Sequence, residues 1–440
     1  MLKYFLNKQY TYITFSILIV LLFVTFFSFT KTLEARYPYN IYYIFLTIIF
    51  LLNLIFCIFS FFYKKKKEYI LCNLSLYFFL FILNFLLAVF YDSNREIEFI
   101  KKYKKLYLEN GIHLNFRPKT LSKLNNLEFY PLGSIPGKKM YFCNEDKKKD
   151  LFIHNDKYGF NNRSDIKYDN SEIMLIGDSF TQGECVENKY NLANLLRQGY
   201  NGKNVLNFGM GGSGPISHFA ILREYARYFR PKNIIIFTVG NNDRWDLNNE
   251  SQNKILTKYV ENKNFSQGLI DKEDFIRNFI EEFMHENYTN LVSKRENFFI
   301  SLKNHLTFQK LRAFISSRIV IFLSEKQNNY KYELDKKIIQ LINKETNKIK
   351  SNLYIIYLPD YYELFGNNKK NDLLRKKYFE ILDQEKIEYI NFYTFFKDLI
   401  YKKNYKKEDF FVLGEPNNHY TPKIYKFIAD TIIEKKILKF

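Results

Sequence analysis

The chain has 440 residues, more than one ordinary domain of ~100–200 residues holds, so at least two structural units are expected. Its formal charge is +20, from 66 Lys and Arg against 46 Asp and Glu. A nucleic-acid partner needs cations gathered into a patch against phosphates. Here they are spread over the whole chain among Asn, Tyr, Ile and Phe, which excludes that partner and leaves attraction to an anionic membrane surface.

Three apolar, uncharged stretches come first, at about residues 12–29, 41–63 and 69–91. Roughly 20 such residues span a bilayer as a helix, so residues 1–94 are predicted to be a transmembrane region of three helices. The first run follows Lys3 and Lys8, as a signal peptide would. It is longer than the ~7–15 residues of a signal core and lacks a small-residue cleavage site, so an uncleaved span is expected. Lys3, Lys8 and Lys64–Lys67 mark the cytoplasmic ends. Everything after the third helix then lies on the external, periplasmic side of an inner or cytoplasmic membrane.

Residues 95–155 are charged and then irregular, with short aromatic alternations such as Lys139-Met-Tyr-Phe-Cys143, which predicts a stalk and a linker of short strands or loops. From residue 172 short apolar runs alternate with helical patterns: 173–176 then 191–198, 205–208 then 216–229, and 234–239. That rhythm indicates βαβ units and a parallel sheet. It breaks after Asp243, gives way to helical periodicity over about 245–350, and resumes with strands at 353–358 and 387–392 around a helix at 372–384. Residues 156–440 are therefore expected to be one α/β domain carrying a helical insertion. Of the four cysteines, Cys57 and Cys72 fall in predicted membrane helices. Cys143 and Cys185 fall in the exported part, where they either pair or remain thiols.

Three strand ends carry unusual residues: Gly177-Asp-Ser-Phe-Thr-Gln-Gly183, Asn207-Phe-Gly-Met-Gly-Gly-Ser-Gly214 and Val239-Gly-Asn-Asn-Asp243. A fourth element, Glu415-Pro-Asn-Asn-His-Tyr-Thr-Pro422, precedes a C-terminal helical pattern. Taken singly, each is an ordinary turn or cap. Taken in this order, at intervals of about one βα unit, they resemble the blocks of the SGNH/GDSL hydrolases. Gly177, Asp178, Ser179, Thr181 and Gly183 match the first block, Gly212 the second, Gly240, Asn242 and Asn242's neighbour Asp243 the third, and His419 the last.

The resemblance implies a flavodoxin-like three-layer sandwich with a parallel sheet. It implies Ser179 as nucleophile and His419 as its base, with Ser179 N–H, Gly212 N–H and the Asn242 amide forming an oxyanion hole. Asp178 and Asp243 are expected in supporting loop hydrogen bonds. The family's Asp two or three residues before the histidine is missing: Pro416 and Asn417 stand there. A Ser–His dyad is the expectation, its ring held by Asn417 or a backbone carbonyl, with Glu415 as the alternative. His113, His154, His218, His285 and His305 show no metal-ligand spacing, so neither a metal nor an organic cofactor is expected.

The implied activity is that of a membrane-anchored serine esterase on O-acyl, especially O-acetyl, esters of envelope or exported glycans, by hydrolysis or acyl transfer. A lipid esterase is the alternative, and a catalytically weak binding or assembly protein with the same fold is a third. The sequence does not specify the oligomeric state.

Overall fold

The computed structural model describes residues 2–34, 39–63, 65–90, 102–123, 128–146, 148–169, 171–296, 306, 308–315, 331–366, 369–415 and 418–440. The chain divides into two compact units: Met1–Lys101 with Tyr288–Asn329, and Lys102–Asn287 with Tyr330–Phe440.

The first unit is built on three apolar helices, α1 (Leu2–Glu34), α2 (Tyr39–Phe62) and α3 (Lys66–Phe90). Two carry stretches long and apolar enough to cross a membrane, Lys8–Lys31 and Lys66–Leu87. The third expected span differs, because the apolar stretch of α2 over Leu46–Phe62 is shorter. Side-chain pairing fixes their directions. Ser28 Oγ donates to Tyr43 O and Cys57 Sγ to Thr14 O, so α1 and α2 run antiparallel. Asn53 Nδ2 donates to Asn73 Oδ1 at 3.1 Å and Tyr69 Oη to Asn53 Oδ1 at 2.8 Å, tying α2 to an antiparallel α3. Lys66 Nζ reaches Thr11 Oγ1, so α1 and α3 begin at the same end.

The second unit contains two sheets. A small one has the order β1 (His113–Leu114), β2 (Lys139–Cys143), β3 (Leu151–His154). From Lys102 onward, therefore, the expected stalk and linker is folded structure. Leu106, Leu114, Phe116, Met140 and Phe142 are buried there. The charged residues read as a stalk alternate with enough aromatic side chains to close a core.

The main sheet has β4 (Ile173–Gly177), β5 (Val205–Gly209), β6 (Asn233–Val239), β7 (Asn352–Leu358) and β8 (Glu388–Asn391) in the order β5-β4-β6-β7-β8. All neighbours are parallel. Successive residues point to opposite faces. Ile173, Leu175, Ile235, Phe237 and Ile356 join one core with Leu192, Leu196, Phe396 and Ile428. Met174, Ile176, Ile234 and Ile236, also buried, face the other way, where helices Pro215–Ile221 and Tyr332–Lys348 pack on the sheet. Burial on both faces explains why these strands read as continuous apolar runs instead of alternating ones.

The segment expected as one insertion over 245–350 splits. Helices Gly240–Glu250, Lys254–Glu261 and Tyr332–Lys348 contribute buried residues such as Leu247, Leu256 and Ile339 to the α/β unit. Tyr288–Asn329 belongs with the apolar helices. Strand order reverses between β4 and β6, which puts a crevice outside their carboxyl ends.

Candidate active site

Ser179 opens the short helix Ser179–Gln182 directly after β4, and Asp178 is its N-cap, accepting from Phe180 N at 2.9 Å. First-turn N–H groups have no acceptor inside a helix, so the Ser179 backbone offers its donor at the crevice. The turn is tight because β5 runs close beside it. A Cβ on Gly209 would lie 2.2 Å from Gln182 N, a backbone contact that cannot yield. Gly212, beyond β5, holds φ at +78°, in the left-handed region that glycine enters at no steric cost.

Asn242 sits in the first turn of the helix after β6, half-buried, and its Nδ2 donates to Asp178 Oδ2 at 2.5 Å. An amide nitrogen has two hydrogens. One is fixed by Asp178, which orients the other. Burial pushes the Asp178 carboxyl up to about 6, against the hydrogen bonds from Phe180 and Asn242 and the nearby His419, which favour its charge. Asp243 accepts from Val239 N at 3.2 Å, tying the helix start to the strand end, and burial followed by the charges of Asp178 and Asp246 holds its carboxyl well above the ordinary range.

The loop before helix Pro422–Glu434 brings His419 to the same place. Its ring packs on Phe180, the residue after Ser179, with centroids 4.9 Å apart. Val412 N donates to His419 O, and Phe411 and Tyr420 form a bridge, so the loop is pinned on both sides of the histidine.

The carboxylate missing from this loop comes from elsewhere. Glu145 Oε1 lies 2.6 Å from His419 Nδ1, and Glu145 Oε2 accepts from His419 N at 2.9 Å. A carboxylate only accepts, so Nδ1 carries the ring hydrogen and Nε2 is left as the ring's acceptor. This corrects the expected dyad. Glu415 is exposed, and Asn417 lies outside the described residues. Burial pushes His419 down, but the Glu145 hydrogen bond and the charges of Glu184 and Glu145 outweigh it, and the net shift is above the ordinary 6.5.

Glu145 is held in place by a disulfide. Cys143, the last residue of β2, is bonded to Cys185, six positions after Ser179. The bridge ties the strand leading to Glu145 to the loop leaving the serine turn. Next to it, Arg117 pairs with Glu184, and Lys119 pairs with Asp246 while its stem covers Gly212. Arg117, Lys119 and Glu145 all lie in the region read as linker. Sequence reading missed Glu145; the signal that could have found it is the cysteine pair, since joining Cys143 to Cys185 carries the acid at 145 towards the serine turn.

Among the described residues one group of acidic, Cys and His side chains is close enough to hold a metal, Cys143, Glu145 and Cys185. Two of its three donors are joined in the disulfide, which leaves no thiolate there.

No family model matches the chain, and no curated protein does. Solved structures resemble it distantly. One is a protein of the G-D-S-L family described as lipolytic, from Desulfitobacterium hafniense, at 14% identity and TM-score 0.34, covering 60% of this chain and 99% of that one. Another is an acetyl xylan esterase at 12% identity and TM-score 0.36, covering 60% and 99%. A third is a variant of a Geobacillus acetyl-xylooligosaccharide esterase, at 12% identity and TM-score 0.35, covering 62% and 98%. At these values the likenesses carry no assignment.

Proposed function

We propose that the protein is a serine esterase that works through an acyl-Ser179 intermediate, with Ser179, His419 and Glu145 as its triad. The bidentate contact of Glu145 with His419, beside the serine turn, carries this reading. It also argues against the catalytically weak binding protein, since a fold retained only for binding needs no oriented base. In the first step Ser179 Oγ attacks the ester carbonyl carbon while His419 Nε2 takes the hydroxyl proton. The tetrahedral oxyanion is met by Ser179 N–H, Gly212 N–H and the second Asn242 N–H. His419 then gives the proton to the departing alkoxide oxygen. Water, or a second hydroxyl in acyl transfer, repeats the sequence on the acyl-enzyme.

The substrate class follows from the resemblance stated for the sequence: O-acyl, above all O-acetyl, esters on envelope or exported glycans. Incubating the membrane-reconstituted protein with an O-acetylated polysaccharide and with a lysophospholipid separates the readings. Acetate release dependent on Ser179 is expected. Fatty-acid release without acetate would make it a lipid esterase.

We propose that the site lies outside the cytoplasmic membrane. The up-down-up order of α1, α2 and α3 with lysines at the shared α1/α3 end supports this orientation, and so does a disulfide, which persists in oxidising compartments. With Cys57 and Cys72 replaced by Ser, intact cells carrying Lys254→Cys should react with an impermeant maleimide, and cells carrying Lys67→Cys should not. The reverse pattern would invert the topology.

A further inference from the structure

The segment inside Tyr288–Asn329 joins the apolar helices through polar contacts that match a lipid setting. Tyr77 Oη, on α3, donates to Leu306 O at 3.1 Å, and the Tyr77 ring meets that of Phe308 at 4.9 Å. Two turns further along α3, Asn84 Oδ1 accepts from Lys310 N at 3.0 Å and Leu311 N at 3.1 Å. These are first-turn donors of the helix over 309–315, so an asparagine of one helix serves as the N-cap of another. Asn84 is 1% exposed and Leu311 8%.

Depth follows from the helix rise of about 1.5 Å per residue. Counted from Lys66, where α3 begins beside the start of α1, Tyr77 stands about 16 Å along and Asn84 about 27 Å along. A hydrocarbon core is ~30 Å thick. On the membrane-anchored reading Leu306, held at Tyr77, lies near the membrane middle, and the helix capped by Asn84 starts inside the outer part of the hydrocarbon core. Backbone groups at such depth persist only when protein satisfies them. Here the two polar side chains on that face of α3 do so. The sequence agrees: from residue 297 to 324 there is no Asp or Glu, while Phe298, Leu302, Phe314, Ile319 and Phe322 alternate with Lys303, Lys310, Arg312 and Arg318. An apolar and purely basic stretch suits an anionic bilayer.

We infer that Leu306 and the helix over 309–315 form a re-entrant, lipid-embedded element docked on α3, a second membrane attachment for the esterase besides its N-terminal helices. The inference rests on the membrane-anchored reading. Both ends of Tyr288–Asn329 continue into the α/β unit, so that unit is tied to the bilayer by three covalent links in place of one.

The test uses the full chain, with Cys57→Ser and Cys72→Ser, in vesicles of mixed zwitterionic and anionic phospholipid. A polarity-sensitive fluorophore is placed singly at Ala313→Cys, at Phe78→Cys on exposed α3 surface, and at Lys254→Cys in the α/β unit. Lipid nitroxide should quench the probes at 313 and 78 severalfold more than aqueous iodide does, with the opposite order at 254. Iodide-dominated quenching at 313 with nitroxide quenching at 78 overturns the re-entrant element alone. Iodide-dominated quenching at both overturns the membrane reading with it. Asn84→Leu, which keeps α3 apolar but removes the cap, should move the 313 probe towards iodide, and an unchanged ratio would overturn the docking by Asn84.

Discussion

Replacing Glu145 by Gln is expected to cut turnover on an acetyl ester by roughly 10²–10⁴-fold with the fold intact. The two side chains have the same shape, so packing beside Cys143 is kept. What is lost is the negative charge 2.6 Å from His419 Nδ1 and the guarantee that Nδ1 carries the proton. The pH profile supplies a second readout. Burial opposes the imidazolium, while Glu145 and Glu184 favour it strongly enough to hold His419 above 6.5. The base must be neutral, so activity rises as pH increases through that raised value, and the acid limb of kcat/KM in the native enzyme lies above 6.5. In Glu145→Gln the burial remains and the main upward cause is gone, so the limb should move to lower pH while the plateau falls. An unchanged plateau with an unmoved limb would remove Glu145 from the mechanism.

Asn242→Ala is expected to lower kcat by about 10²–10³-fold, about 2.7–4 kcal/mol of transition-state stabilisation, with KM changed little. The Asn242 amide is aimed by Asp178, which also caps the serine helix through Phe180 N. The donor faces charge that develops only after attack, so its removal is felt in the transition state and hardly in the bound ester. The cap from Asp178 survives but its buried Oδ2 loses a donor, so a modest fall in thermal stability is expected beside the much larger fall in kcat. A raised KM with unchanged kcat would make Asn242 a binding residue and not an oxyanion donor.

The serine turn, the glycine loop and the Asn242 helix start were legible because each is a local sequence feature at a strand end. Parallel strands buried on both faces declare themselves by unbroken apolar runs such as Ile234-Ile-Ile-Phe237. Glu145 was not legible in that way. It lies 274 positions from His419, in a stretch of Asn, Glu, Asp and Lys that carries no periodicity, and only the disulfide links it to the serine loop. Within residues 95–155 the alternation of Lys139-Met-Tyr-Phe-Cys143 pointed to a short strand, which is β2, but β1 and β3 have two and four residues, too few to show that the region folds as a sheet and not as a linker. The extent of the insertion misled because helical periodicity is the same for a helix on the sheet, such as Tyr332–Lys348, as for one outside it.

The central claim, that Ser179 is an activated nucleophile, is tested most directly by labelling the full-length protein in its membrane with a fluorophosphonate. One adduct on Ser179 is expected, absent in Ser179→Ala and slowed in Glu145→Gln in proportion to its loss of turnover. A native protein that takes no label, or a Ser179→Ala variant labelled as fast as the native one, would contradict it.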